Sequence, residues 1–219
     1  MNKYTLPLTA ILCISLLSSC ADDKDIDSET LPSSSSKPSS SSSVAYVGGS
    51  CDISGYRTVK IGNQTWMAQN LNCDVAGSVC YDNDPANCAK YGRLYNWETA
   101  KDICPNGWRL PSNEDWDEFI DSVGGESTAG TKLKANDGWN DYEGKSGNGT
   151  DDFVFSALPG GGRTFDGNFI GVGSYGSWWS SQEYDASIAY LLGISYEYED
   201  AGYNGSKKSN LLSVRCVKD

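Results

Sequence analysis

The chain has 219 residues with 17 basic against 29 acidic side chains, a formal net charge of −12, and no histidine. That balance argues against nucleic acid and anionic lipid surfaces as partners. The missing imidazole removes Ser-His and Cys-His nucleophile pairs and most catalytic zinc sites.

In chain order, Met1-Asn2-Lys3 is a short positive start, and Thr5 to Leu17 is almost wholly apolar. That run has the length of a signal h-region and is too short to span a bilayer. It ends at Leu17-Ser18-Ser19-Cys20, which resembles the bacterial lipobox. Small residues let an extended backbone enter the peptidase, and the Cys20 thiol takes a diacylglyceryl thioether. The reading is therefore a signal peptide over 1–19 and a lipoprotein whose acyl chains, palmitate among them, anchor it at Cys20. Several buried chains hold far better than one, at roughly 0.8 kcal/mol per CH₂. Ala21-Asp22-Asp23-Lys24-Asp25 follows and resembles the acidic export signals of surface lipoproteins. The expected location is the outer membrane, lipid-anchored at the cell surface and facing the exterior.

Residues 20–49 lack any hydrophobic period, and their centre is serine broken by Pro32 and Pro38. Such a segment buries too little apolar area to offset its ordering entropy and reads as a disordered tether. As a coil of about 28 residues it would reach roughly 30 Å.

Residues 50–219 make a unit of ordinary single-domain size, rich in Trp (7), Tyr (13) and Gly (24). Once Cys13 and Cys20 are set aside, six cysteines remain, an even count that in an exported chain means a disulfide framework. Six allow fifteen pairings. Cys80 and Cys88 flank a turn-forming Asp-Asn-Asp-Pro and are the natural local pair. Cys104–Cys216 would tie the middle of the domain to its last strand, which leaves Cys51–Cys73 across the hairpin between them. A zinc site is the competing reading, but no Cys-x-x-Cys is present.

Within the domain, Tyr56–Ile61 and Gln64–Ala68 around Gly62-Asn63 read as a β-hairpin. Asn96 can cap a helix from Trp97 to about Ile103. Ser112 with Asp115 forms a capping box for a helix whose Trp116, Phe119, Ile120 and Val123 share one face, ended by Gly124-Gly125. A short helical piece near Thr131–Ala135 follows. The stretch from Asp137 to Gly176 is Gly-, Asn-, Asp- and aromatic-rich and irregular, save for a strand-like Phe153–Phe155. Strands are expected at Ser177–Ser180, Ile188–Tyr198 and Leu211–Val217. Tyr196-Glu-Tyr-Glu199 reads as ordinary alternation along a strand. The class is α+β: two helices, antiparallel strands and a long irregular segment, disulfide-stapled.

Thr58-Val-Lys-Ile-Gly-Asn-Gln-Thr-Trp-Met-Ala68, Lys90-Tyr-Gly-Arg-Leu-Tyr95, Cys104-Pro-Asn-Gly-Trp-Arg-Leu-Pro111, Phe155-Ser-Ala-Leu-Pro159, Trp178-Trp-Ser-Ser181 and Ser213-Val-Arg-Cys-Val-Lys-Asp219 occur in one order. Together with Gly149-Thr-Asp151 they resemble the Fibrobacter succinogenes major paralogous domain. The resemblance implies an extracytoplasmic domain, often on lipoproteins, with no established activity. Several of these pieces also resemble the C-type-lectin-like and sulfatase-modifying-factor fold, where a helix-borne cysteine pairs with one in the final strand. Cys51 and Cys73 look like an added bridge.

The expected function is non-catalytic: a binding or adhesion domain for polysaccharide or a cell-surface protein. Exposed aromatics can stack on sugar rings, and Trp139, Tyr142, Phe165, Phe169 and Tyr175 lie in the irregular segment, the ligand region of lectin-like folds. Trp178 and Trp179 read as core. Asp137, Asp141, Glu143, Asp151 and Asp152 are a candidate calcium set, with hard oxygen ligands in a loop, although their spacing matches no EF-hand and a solvated acidic loop is the plainer reading; no other cofactor is expected. Arg93, Arg109, Arg163 and Arg215 read as partners in ion pairs. Two alternatives stand beside binding. One is a structural envelope protein without a small-molecule ligand; the other is a carboxylate-based hydrolase, which needs two carboxyls facing across a cleft.

Overall fold

Alternating side chains on either side of Gly62-Asn63 close the first hairpin: β1 (Thr58–Ile61) pairs antiparallel with β2 (Gln64–Met67). The computed structural model describes residues 51–219. The signal peptide, Cys20 and the tether expected over 1–49 lie outside the described residues.

A single 3₁₀ turn, Tyr81–Asn83, leads into α1 (Pro85–Tyr91). The Asp-Asn-Asp-Pro stretch is thus a turn and also a helix start. Asp84 accepts the Ala86 N–H at 2.9 Å, and Pro85 occupies the first helical position, where no amide is needed. Next come α2 (Trp97–Asp102), capped by Asn96 accepting from the Thr99 N–H at 2.8 Å, and the short β3 (Trp108–Arg109). The capping box of α3 (Asn113–Ser122) has both arms: Ser112 Oγ accepts from the Asp115 amide, and the Asp115 carboxylate accepts from the Ser112 amide.

The helix expected near 131–135 begins five residues earlier, as α4 (Glu126–Leu133). Gly124 and Gly125 take positive φ, so the chain reverses within two residues and starts the new helix at once. Lys132 Nζ donates back to the Val123 carbonyl at 2.8 Å. Four helices therefore replace the two expected.

The remaining strands are β4 (Gly160–Arg163), β5 (Phe169–Val172), β6 (Tyr175–Glu183), β7 (Ile188–Ser195), β8 (Ala201–Lys207) and β9 (Val217–Lys218). Three expectations need correcting here. Phe153–Phe155 is a reversal rather than a strand: Asp151, Val154 and Ser156 all have positive φ, and the Asp151 carboxylate accepts both the Ser156 N–H and its hydroxyl. Tyr196–Glu199 lies past the end of β7 in a bend. Of Leu211–Val217 only Val217 belongs to a ladder strand, while Leu211, Leu212 and Ser213 make single bridges to Arg163, Tyr95 and Trp178.

Strand order is β1-β2-β9-β3 in one sheet, β4-β5 in a second and β6-β7-β8 in a third, with every ladder antiparallel. The fold class is α+β. Adjacent residues of a strand face opposite ways, and β6 uses this to serve two cores. Trp178 enters an aromatic cluster with Trp66, Trp116, Phe119 and Phe155, while Trp179 enters a second with Met67, Leu71, Tyr95, Trp97 and Val214. Both indoles are fully buried and satisfied, Trp178 Nε1 donating to Asn70 Oδ1 at 2.8 Å and Trp179 Nε1 to the Tyr95 carbonyl at 2.7 Å.

Three cysteine pairs lie at disulfide distance: Cys51–Cys73, Cys80–Cys88 and Cys104–Cys216, with Cα separations of 5.8, 4.9 and 5.9 Å. The last joins the end of α2 to the approach to β9 across the second core.

Candidate ligand-binding surface

Of the five aromatics expected to meet a ligand, three are on the surface. Tyr142 is 39%, Tyr175 47% and Phe165 60% exposed. Trp139 is a correction: it is 4% exposed, its indole donates to the Ala157 carbonyl at 3.0 Å, and it belongs to the first core. Phe169 is a second correction. It is half-buried on the inward side of β5 against Tyr81, with ring centroids 5.2 Å apart. The outward position on β5 is the next residue, Ile170, at 54% exposure.

Tyr142 and Tyr175 are brought together by a residue that the sequence pattern assigned to a strand face. Tyr196 stands between them edge-on, 5.6 Å from Tyr142 and 6.4 Å from Tyr175. Backbone bonds fix this arrangement. The Asn140 amide donates to the Gly173 carbonyl at 2.8 Å, Asn140 Nδ2 donates to Ser174 Oγ at 3.1 Å, and the Tyr196 amide donates to the Ser174 carbonyl at 2.9 Å. Two separate loops are therefore pinned to one turn. Gly171 is needed there: it has φ 76°, and a Cβ would come 2.6 Å from the Tyr175 ring. The signal that could have found Tyr196 is the acid-rich Glu197 to Asp200, which disfavours a strand at that point.

Tyr175 and Ile170 also rim a shallow groove of about 180 Å³ between the β4–β5 hairpin and β6–β7, floored by Gly161, Ser177 and Leu191. Enclosed small-molecule sites run to roughly 300–1,000 Å³, so a ligand would lie across this groove rather than inside it. Phe165 lies next to Thr164 and bonds to Asn210, both of which line the groove. The Phe165 amide donates to Asn210 Oδ1 at 2.9 Å, and the Lys207 ammonium sits 3.9 Å above the Phe165 ring. The result is a surface row running Tyr142, Tyr196, Tyr175, Ile170 and, past the groove, Phe165.

The Tyr142 and Tyr196 phenols both lie above the ordinary tyrosine value. Glu143, then Glu197, push the Tyr142 phenol above its ordinary value; burial first, then Glu197, do the same for Tyr196. As neutral phenols they can donate hydrogen bonds as well as offer ring faces.

The five carboxylates considered for calcium do not converge. Asp151 is turned inward onto Ser156, Glu143 lies in the exposed Tyr142–Lys145 turn, and Asp137, Asp141 and Asp152 are exposed. No group of three or more acidic or cysteine side chains among the described residues is placed to hold a metal ion.

A larger concavity, about 600 Å³, opens elsewhere between segment 52–57 and the end of α1, floored by Asn70, Ser156 and Leu158. Arg215 lies at the floor, fully buried. Its guanidinium donates to Asn70 Oδ1 at 2.8 Å, to the Ser156 carbonyl at 2.7 Å and to the Phe155 carbonyl. Desolvation lowers its pKa to about 9, so it remains charged at neutral pH. The ion-pair expectation holds for Arg93 with Asp74 (2.6 Å) and for Arg109 with Asp115. It fails for Arg163, whose Nε meets the Gly167 carbonyl, and for Arg215, which is held by carbonyl and amide oxygens instead of a carboxylate.

A family model described as the Fibrobacter succinogenes major domain matches residues 59–218. No curated protein and no solved structure matches the chain.

Proposed function

The chain belongs to the Fibrobacter succinogenes major domain family, and from that premise we propose that it is a surface lipoprotein carrying a non-catalytic, lectin-like binding or adhesion domain for polysaccharide. The observation that carries this reading is the ring contact of exposed Tyr142 and Tyr175 with half-buried Tyr196 between them, beside exposed Ile170 and Phe165. Rigid aromatic faces lose little conformational entropy on binding, and a row of them suits successive rings of an extended chain. The protonated phenols supply donors for sugar hydroxyls. Neither concavity is lined by two carboxylates, as a retaining or inverting glycosidase would need; this favours binding over hydrolysis.

The test is electrophoretic retardation of the full-length protein, in detergent, through gels containing soluble plant-wall polysaccharides. Retardation by at least one of them is expected, and Tyr142→Ala with Tyr175→Ala should weaken it about tenfold, the scale of losing a buried aromatic contact. Absence of retardation across the panel would overturn the reading in favour of a structural envelope protein. The proposed anchor is tested separately: Cys20→Ser should move the protein from the membrane to the soluble fraction.

A further inference from the structure

Of the fourteen lysines and arginines among the described residues, four pair with a carboxylate: Arg93, Lys101, Arg109 and Lys208. Arg57 and Lys90 form no ion pair among the described residues, and both line the 600 Å³ cleft. Arg57 comes from the segment before β1 and Lys90 from the last turn of α1, so two separate parts of the chain bring a positive residue to the lining. Lys90 Nζ lies 4.8 Å from the ring centre of its neighbour Tyr91. Beneath the floor sits the third cation, Arg215, which raises the positive potential of the cleft further.

One carboxylate, Asp52, lines the cleft, and it accepts the Ser54 N–H at 2.9 Å. Asp151 lies behind the floor, its two oxygens taken by Ser156. Asp137 acts on Lys90 only at longer range. Between the walls, Gln69, Asn70 and Asn72 bring side-chain amides, and Tyr56 brings a ring.

The walls are fixed in advance. The Cys51–Cys73 bridge staples the 52–57 segment and Cys80–Cys88 staples the start of α1 to its middle. Tyr56 Oη accepts the Asn72 N–H at 2.7 Å, and Gln69 Oε1 accepts the Arg57 N–H at 2.9 Å. Gly92, with φ 76°, lets the end of α1 sit directly on Asn70; a Cβ there would come 2.8 Å from the Asn70 Cβ and the Leu71 carbonyl. The volume falls within the roughly 300–1,000 Å³ of small-molecule sites. A pre-shaped polar cleft with two unpaired cations and several amides fits a ligand that is both anionic and rich in hydroxyls.

We propose that this cleft binds an acidic sugar, a hexuronate residue of a polysaccharide. Arg57 grips its carboxylate as a fork, Lys90 supplies a second positive charge, and Gln69 and Asn72 meet the hydroxyls. The planar guanidinium matches a carboxylate with two parallel hydrogen bonds, which a lysine cannot reproduce. The proposal rests on the polysaccharide reading and names the sugar class, at a place separate from the aromatic row.

The experiment is calorimetric titration of the full-length protein, in detergent, with trigalacturonate, with a neutral trisaccharide and with a sulfated one. Trigalacturonate is expected to bind, the neutral sugar at least tenfold more weakly, and added salt should weaken the acidic sugar selectively. Arg57→Gln and Lys90→Gln should each cost about tenfold in affinity. Arg57→Lys should recover only part of that. Urea midpoints equal to wild type would show that the variants are folded. Equal binding of the neutral sugar, binding of the sulfated sugar alone, no heat with trigalacturonate, or unchanged affinity in folded Arg57→Gln and Lys90→Gln would each overturn the proposal. Loss of trigalacturonate binding while polysaccharide retardation through Tyr142 and Tyr175 persists would sink the cleft alone. Absence of both would sink the saccharide reading as a whole.

Discussion

Arg215 shows how much one side chain can organise when it is buried without a counter-ion. Its guanidinium spans the reversal at 151–156, the Asn70 amide and the ring of Phe155, 4.0 Å away. Five fixed donors in a plane suit three separated oxygens, and a lysine has neither the reach nor the geometry. Replacement by Met leaves the carbonyls of Phe155 and Ser156 without this donor in a dry interior. The expected cost is about 2–5 kcal/mol, read as a lower urea midpoint, and Arg215→Lys should not restore it. The Val-Arg-Cys-Val motif that holds Arg215 could be seen in the sequence; the partners of the arginine could not. An arginine in an acidic chain is expected beside a carboxylate, and here the reversal presents backbone oxygens instead.

Elements were legible where a local rule dictates them. The capping box at Ser112 and Asp115, the Asn96 cap and the Gly62-Asn63 hairpin each depend on residues a few positions apart. Asp115 also works at longer range, accepting from Arg109 on β3 and from Gln64 Nε2 on β2 at 3.1 Å. Burial pushes its carboxyl up, but the Arg109 guanidinium and the Ser112 amide outweigh that and leave it below the ordinary carboxylate value. Because the folded state lowers this pKa, its stabilisation is complete above the unfolded value near 3.9 and is lost as pH falls through the folded one. Asp115→Asn is therefore expected to be less stable by about 1–3 kcal/mol at pH 7. The gap should close as pH falls below the ordinary aspartate value and through the lowered folded one, as followed by urea unfolding at several pH values. Among the strands that the sequence did not yield, β4 and β8 are glycine-rich or polar, and β5 is only four residues long with Gly171 inside it. They are strands because a neighbour supplies their hydrogen bonds, so no property within each segment reveals them.

At the scale of the molecule, three covalent ties hold two aromatic cores that share the β6 strand. The chain-entropy contribution rises with loop length. Sequence separations of 8, 22 and 112 correspond to about 2.5, 3.4 and 4.8 kcal/mol. Serine at both Cys104 and Cys216 should lower the urea midpoint most, and serine at both Cys80 and Cys88 least. A reversed order would show that native packing at each bridge outweighs loop closure.

Sequence by itself determined the α+β class, the family, a cysteine pairing whose partners lie at bonding distance in the structure, and the capped helices. These depend on composition, on motif order or on residues close in the chain. It also picked out Tyr142, Phe165 and Tyr175 but grouped them with Trp139 and Phe169, because an aromatic in an irregular segment carries no mark of the side on which it will lie. Only the tertiary structure decided that Trp139 fills a core, that Tyr196 stands between Tyr142 and Tyr175, and that Arg57 and Lys90 line one cleft. Exposure and convergence arise when segments distant in sequence pack together, and no local pattern encodes that distance.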